Sequence, residues 1–408
     1  MPEAVIVSVA RTPIGRANKG SLKDLRPDDL TAFIVKTALD KVEGLDRNTV
    51  DDLYLGCGLP GGESGNNMGR IVNVLNGMDD VPGATITRYC ASSVQTTRMA
   101  FHAIKAGEGD VFISAGVEMV SRFAKGTSDH WPDTQNPQFA EAQARTKSRA
   151  EGGSADSGDW HDPRDDGTLP DAYIAMGQTA ENVAKMRGLS RQELDEFGVR
   201  SQNLAEKAIN DGFWAREITP VTTPDGTVVS TDDGPRAGVT YEGIKDLKPV
   251  FRPDGVVTAG NCCALNDGAA AVVIMSDTKA AELGLTPLAR IVSTGVSALS
   301  PEIMGLGPVE ATKIALAHAQ MSIGDIDLVE INEAFAAQVV PSYQDLGIDI
   351  DRLNVNGGAI AVGHPFGMTG ARLQNTMLNS LDWHDKTTGL ITMCVGGGQG
   401  MALILERL

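Results

Sequence analysis

Ala84-Thr85-Ile86-Thr87-Arg88-Tyr89-Cys90-Ala91-Ser92-Ser93-Val94 passes from a short strand-like run into a helix, and it has a counterpart far along the chain. The helix shows itself in Val94, Thr97, Phe101 and Ile104, spaced three or four apart on one face. Gly358-Ala359-Ile360-Ala361 repeats the strand-like run and leads into His364, with Pro365 suited to the first helical position. Two more segments keep the same order. Asp52-Leu53-Tyr54-Leu55-Gly56-Cys57 is echoed by Asp327-Leu328-Val329-Glu330-Ile331-Asn332. Val111-Phe112-Ile113-Ser114-Ala115-Gly116 is echoed by Leu390-Ile391-Thr392-Met393-Cys394. The offset stays at about 275 residues, which predicts an α/β protein built from two similar halves.

A different kind of sequence separates them. From about Ser121 to Asp171 the chain is polar, with Trp131-Pro132-Asp133, Gly152-Gly153-Ser154 and Asp162-Pro163-Arg164-Asp165-Asp166-Gly167, and reads as long surface loops. Helices are expected at Gly177–Arg187 and Arg191–Asn210. The second opens with Ser190 as N-cap and Glu193 three residues on, a capping box, and Leu194, Phe197, Gln202 and Leu204 roughly mark its stripe. A turn follows at Pro224-Asp225-Gly226.

Composition narrows the function. A net charge of −18 over 408 residues argues against nucleic acid and against an anionic membrane surface. No apolar run reaches the roughly 18 residues of a membrane span. With no basic leader and no sorting signal in the sequence, a cytoplasmic protein is expected. The cysteines at 57, 90, 262, 263 and 394 are odd in number and form no paired C-x-x-C, and the six histidines are scattered. Neither a disulfide framework nor a metal site is expected.

Cys90 stands where the strand gives way to the helix, beside orphan N–H groups and the positive end of the helix dipole. Both favour the thiolate, so a reactive nucleophile is expected there. His364 stands at the equivalent junction of the other half, so pseudo-symmetry brings it to Cys90 as a base. Cys394 ends a strand and precedes Val395-Gly396-Gly397-Gly398-Gln399-Gly400. A strand follows that run and the G-x-G-x-x-G spacing is missing, which argues against a nucleotide loop. A bare backbone pointing N–H groups at an oxyanion fits better. Asn332, in Asn332-Glu333-Ala334-Phe335-Ala336, is suited either to orient a water or carbonyl or to cap a helix.

Together these segments resemble the thiolase family over essentially the whole chain. The nucleophile block C-x-S-G appears as Cys90-Ala91-Ser92-Ser93. N-E-A-F-A stands at 332–336, G-H-P-x-G-x-[S/T]-G at 363–370 and C-x-G-G-G-x-G at 394–400. Val9–Gly15, Met176–Asn182 and Leu265–Ala270 are also family-like.

The resemblance implies a thiolase-like fold of five αβαβα layers. Residues 1–120 plus about 252–278 would form one half, 279–408 the other, and 121–251 a loop domain covering coenzyme A. It implies that Cys90 attacks a thioester carbonyl with His364 as base, and that Cys394 removes or returns a proton at the α-carbon of an acyl-CoA. One oxyanion site would combine His364 with a water held by Asn332, the other the N–H groups of Cys90 and Gly396. Met176, Arg236, Phe251, Ala259, Cys263, Leu265, Ala334 and Phe335 would lie along coenzyme A, with Lys245, Lys248 and Arg252 forming a basic cluster near Arg236. Coenzyme A and acyl-CoA would be substrates, with no permanently bound cofactor. A homodimer or homotetramer is implied, with a β-oxidation multienzyme as a further partner.

Three departures stand out. Ser93 replaces the usual Gly, which predicts a tighter turn behind Cys90. Cys263 replaces the usual Ser, a weaker hydrogen-bonding group toward pantetheine. The stretch from Met119 to Met176 looks long, and Trp131, Trp160 and His161 are expected to shape an acyl pocket or a subunit contact. Asp232-Asp233-Gly234-Pro235-Arg236 resembles degradative members, so cleavage of 3-ketoacyl-CoA by coenzyme A is the leading expectation. An acetoacetyl-CoA thiolase working in the condensing direction is the alternative. A ketosynthase and a non-catalytic acyl-CoA-binding or scaffold subunit stand further off, because Cys90, His364 and Cys394 are all present.

Overall fold

The computed structural model describes residues 2–125, 134–152 and 160–408. Trp131 lies outside them, as do Pro132, Asp133, Gly153 and Ser154.

The chain opens with β1 (Ala4–Arg11), a short β2 (Gly15–Arg16) and α1 (Pro27–Asp40). Then come β3 (Asp52–Cys57), α2 (Met68–Leu75), β4 (Gly83–Ile86), α3 (Ser92–Ala106) and β5 (Val111–Met119). The inserted region carries α4 (Ala140–Ala150), α5 (Met176–Met186), α6 (Arg191–Asn210), the β6–β7 hairpin (Val221–Thr222 and Val228–Val229) and α7 (Tyr241–Ile244). β8 (Asn266–Ser276) returns to the first half, followed by α8 (Asp277–Glu282). The second half is β9 (Ala289–Ala298), α9 (Gly307–Ala319), β10 (Leu328–Ile331), α10 (Ala336–Leu346), α11 (Ala359–Val362), α12 (Phe366–Trp383), β11 (Thr388–Val395) and β12 (Gln399–Arg407).

Topology displays the duplication. The first half runs β4-β3-β5-β8-β1 and the second β10-β11-β12-β9, and a short antiparallel contact, Val5 to Arg290 and Ile6 to Ala289, joins β1 to β9. In each half the same sense recurs, with β3/β5 and β10/β11 parallel and the next two pairings antiparallel. Among the described residues, the place of β4 is held in the second half by a bridge from Val329 to Leu353.

Strand periodicity builds the layers. Along β8, Ala269, Ala271, Val273 and Met275 face a core shared with α1 and α2, while Ala270, Val272 and Ile274 face a middle core shared with α3 and α12. Likewise Met401, Leu403 and Leu405 of β12 join the middle core, and Ala402 and Ile404 join an outer core with α9 and α10. The result is five αβαβα layers, with α3 and α12 in the centre.

Two local expectations change. The polar stretch after Ser121 contains a helix, Ala140–Ala150, which strong helix formers favour and Arg149 ties to Glu302 at 2.9 Å. In α6 the buried stripe keeps Leu194, Phe197 and Gln202 and adds Ser201, Ala205 and Ala208, with Leu204 at its edge, because small residues let the helix approach Gly357.

Candidate active site

Cys90 lies in a single 3-10 turn, Tyr89–Ala91, immediately before α3. Tyr89 has φ of 44°, a left-handed conformation rare outside glycine. Ser92 holds it there, accepting from Arg88 N at 2.9 Å and donating to Tyr89 O at 2.6 Å. Ser93 directs its side chain away from this turn. Its Oγ accepts from Ala371 N at 2.8 Å, so the extra hydroxyl ties α3 to α12.

The backbone N–H groups of Gly396 and of Cys90 itself act on the Cys90 thiol and favour its ionised form. Even so, burial pushes the thiol up to about 12, and the Glu118 carboxyl adds to the rise. Desolvation thus outweighs the two N–H groups, and the resting group is a neutral thiol.

The approach to His364 also differs from expectation. It is the short helix α11 and Gly363, at φ 110°, not a strand. The helix forms because buried Glu333 sits at its start, accepting from Ile360 N at 3.1 Å and Ser201 Oγ at 2.5 Å. Pro365 is the residue before α12 rather than its first. Cys90 and His364 nevertheless each stand two residues ahead of a central helix.

The hydrogen bonds of His364 fix its tautomer. Thr369 Oγ1 donates to Pro365 O at 2.7 Å, so it accepts from His364 Nδ1–H at 2.6 Å. Nε2 therefore carries the lone pair, and Asn332 Nδ2 donates to it at 3.3 Å. Burial, with Arg372 nearby, lowers the imidazole to about 3, so it rests neutral. Asn332 caps no helix, since α10 begins at Ala336, and its buried Oδ1 has no partner among the described residues.

Cys394 is fully buried next to the end of β11, and burial holds its thiol well above the ordinary range. Gly397 and Gly398, at φ 78° and 79°, turn the chain into β12. A Cβ at Gly396 would lie 3.3 Å from the Tyr89 ring.

Cys90, His364 and Cys394 line one cavity of about 580 Å³. Met176, Arg236, Phe251, Ala259, Cys263, Leu265, Ala334 and Phe335 line it too. Arg16 is a cation at this cavity that sequence reasoning missed, although it directly follows the family-like Val9–Gly15. The Arg236 turn is pinned to the first half: Asp232 pairs with buried Arg11 at 2.8 Å, and Asp233 accepts from Arg16 N at 2.9 Å. The expected basic cluster does not form. Arg252 is turned inward onto Gln178 and Asn182, and Lys245 pairs with Glu242; neither they nor Lys248 line the cavity.

A second cavity, about 520 Å³, shares Cys90, Ala175, Met176 and Phe366 with the first. Gly58, Leu59, Tyr89 and Gly396 form one side of it, and Thr134, Gln135 and Ala172–Ile174 from the insertion the other. Trp160 lines neither cavity. Its indole donates to Glu302 at 3.0 Å and docks the insertion, while exposed His161 meets Asp166 at 2.6 Å. Glu118 is the other residue that sequence reasoning missed, buried at the end of β5 with no motif to mark it.

A duplicated five-layer fold, with the thiols of Cys90 and Cys394 and a neutral histidine lining one cavity, defines an acyl-transfer site of the thiolase type. The chain belongs to the thiolase family: Thiolase, N-terminal domain matches residues 4–278, and Thiolase, C-terminal domain matches 285–407. It is 41% identical to the 3-ketoacyl-CoA thiolase of Bacillus subtilis (strain 168) and 40% identical to that of Aeromonas hydrophila subsp. hydrophila, covering 100% of both chains in each case. Among solved structures, the acetyl-CoA acetyltransferase of Bacillus anthracis superposes with a TM-score of 0.85 at 36% identity, covering 100% of this chain and 99% of that one. The dimeric peroxisomal thiolase of Saccharomyces cerevisiae superposes at 0.86 with 32% identity, covering 100% and 98%. The chain is an acyltransferase enzyme, and no helix among the described residues is long and apolar enough to cross a membrane.

Proposed function

We propose that the protein cleaves 3-ketoacyl-CoA with coenzyme A, releasing acetyl-CoA and a shortened acyl-CoA through an acyl thioester on Cys90. The observation that carries this reading is the position of Cys90 where two cavities meet. Coenzyme A occupies the first, with its phosphates toward Arg16 and Arg236 and its pantetheine past Phe251, Cys263 and Phe335. The acyl chain lies in the second. An acetyl group has no use for about 520 Å³, a volume in the range of sites for drug-sized ligands. This favours chains longer than acetoacetyl.

The steps follow from the protonation states. Cys90 Sγ attacks the 3-keto carbon as its proton passes to His364 Nε2. The oxyanion meets the N–H groups of Cys90 and Gly396. Collapse breaks the bond between C2 and C3, and Cys394, a protonated thiol at rest, protonates C2 of the departing acetyl-CoA. The Cys394 thiolate then takes the thiol proton of incoming coenzyme A, whose sulfur attacks acyl-Cys90. As the tetrahedral intermediate collapses, the Cys90 thiolate leaves and recovers its proton from His364. Asn332 holds His364 and a water at the thioester oxygen during enolate formation. No permanently bound cofactor is needed.

The dimeric neighbour supports a homo-oligomer, and the charge and the absence of a membrane helix among the described residues fit a cytoplasmic enzyme of fatty-acid breakdown, with a β-oxidation multienzyme as partner. A thiolysis panel from acetoacetyl-CoA to long 3-ketoacyl-CoAs tests the reading, with mass spectrometry of the acyl adduct on Cys90. Preference for acetoacetyl-CoA would transfer the assignment to an acetoacetyl-CoA thiolase, and no adduct on Cys90 would remove the mechanism.

A further inference from the structure

Glu118 is 1% exposed, and no cation pairs with it among the described residues. A buried carboxyl of this kind needs donors, and it finds them in both halves. Oε2 accepts from Gly58 N at 2.7 Å, just past β3, and from Gly367 N at 2.8 Å, in the first turn of α12. Oε1 accepts from Leu59 N at 3.2 Å and from the Cys57 thiol at 3.8 Å. A Cβ on Gly58 would lie 2.7 Å from the carboxylate, 2.8 Å from Phe366 Cβ and 3.3 Å from Tyr89 O. The carboxyl therefore stands against the turn that carries Cys90 and the helix start that follows His364.

We infer that Glu118 is a positioning residue that holds Cys90 as a neutral thiol between turnovers and sets the pH at which it becomes reactive. Its negative charge, in a dry site, opposes a second negative charge on the sulfur. Among the described residues, the titratable groups facing it are the Cys57 thiol from β3 and the Cys90 thiol ahead of α3, and Cys90 in turn faces the thiols of Cys263 and Cys394 and neutral His364. Burial raises the carboxyl to about 7, so its charge appears across the neutral range. The thiolate then forms when substrate and the two N–H donors receive the charge, and reagents that need a free thiolate find little of it. At the same time Glu118 fixes Gly58 and Leu59, which line the acyl cavity.

The inference rests on Cys90 being the nucleophile proposed above. Its test is the pH dependence of iodoacetamide alkylation, read on the Cys90 peptide by mass spectrometry. In the unaltered enzyme the logarithm of the rate should rise with less than unit slope near pH 7, where Glu118 ionises, and recover unit slope above it. Glu118→Gln should remove the flattening and raise the rate at pH 8 about tenfold, one unit of thiol pKa. A straight unit-slope line in the unaltered enzyme overturns the inference without needing any variant to fold. An unchanged profile in a folded Gln variant overturns it too. If 3-ketoacyl-CoA still acylates Cys90 in that case, only the role of Glu118 falls and the proposed function stands.

Discussion

Replacing Thr369 with valine keeps the shape of a β-branched residue in α12 while removing the oxygen 2.6 Å from His364 Nδ1. Both groups are buried, with His364 1% exposed and Thr369 fully enclosed. The Nδ1–H is left without an acceptor, which costs about 1–3 kcal/mol for a buried polar group. The imidazole can relieve this by moving its proton to Nε2, and that tautomer cannot accept the Cys90 proton. Either way the transition state for attack suffers, and about 1–3 kcal/mol corresponds to roughly a 5- to 150-fold loss in kcat. Steady-state thiolysis is the assay, and KM for coenzyme A should hardly change because Thr369 does not line the cavity. Thr369→Ser retains the hydroxyl and should recover most of the rate. A valine variant within twofold of the parent enzyme would refute the tautomer argument.

Cys263 lines the first cavity, proposed to take coenzyme A, where the resemblance leads one to expect a serine. Cys263→Ser should lower KM for coenzyme A by roughly two- to tenfold, the worth of one net hydrogen bond, with kcat unchanged; a raised KM would count against a polar contact there. Ile174 lines the second cavity, so Ile174→Trp should cut the ratio of kcat/KM for 3-ketodecanoyl-CoA over acetoacetyl-CoA by about fourfold for each methylene displaced. An unchanged ratio would move the acyl chain elsewhere. Stability should fall as pH rises from 6.5 to 8.5. Glu118 and Glu330, raised by burial to about 7 and about 8 from 4.5, bind a proton more tightly folded than unfolded. Their contribution is therefore complete below pH 4.5 and lost as pH passes their folded values. His364, lowered to about 3 from 6.5, acts in the opposite sense but only below this interval. A Tm that climbs across it would contradict the assignment.

The residues that chain pattern identifies are those whose meaning is local. Cys90 and His364 each announce a helix start, and Cys394 a strand end before glycines, so the sequence indicates their junctions directly. The duplication is legible for the same reason, since β3 and β10, and β5 and β11, keep apolar runs in the same order. Gly358–Ala361 misled because four small and apolar residues serve a strand or a helical turn equally well. A carboxylate from Glu333, 27 positions away, decides for the helix. Ala140–Ala150 has no apolar stripe and docks through Arg149, so periodicity gave no sign of it. Glu118, Thr369 and the inward turn of Arg252 depend on partners that only the folded chain supplies.

The raised Cys90 thiol exposes a point about the duplication itself. A helix start stabilises negative charge and repels positive charge. At Cys90 that field makes a thiol more acidic, and at His364 the same field, repeated by pseudo-symmetry, makes an imidazole less basic. For a proton moving from one to the other, the two effects offset. Burial does not cancel, because it penalises the thiolate and the imidazolium alike, which is why the groups stand at about 12 and about 3 in the free enzyme. The drive for proton transfer must then come from what substrate adds. As the carbonyl carbon receives the sulfur, charge leaves Sγ for an oxygen that can reach two backbone N–H groups, so a thiolate exists beside Glu118 only while substrate is bound. A duplicated scaffold thus supplies geometry and neutrality, and the acyl group completes the electrostatics.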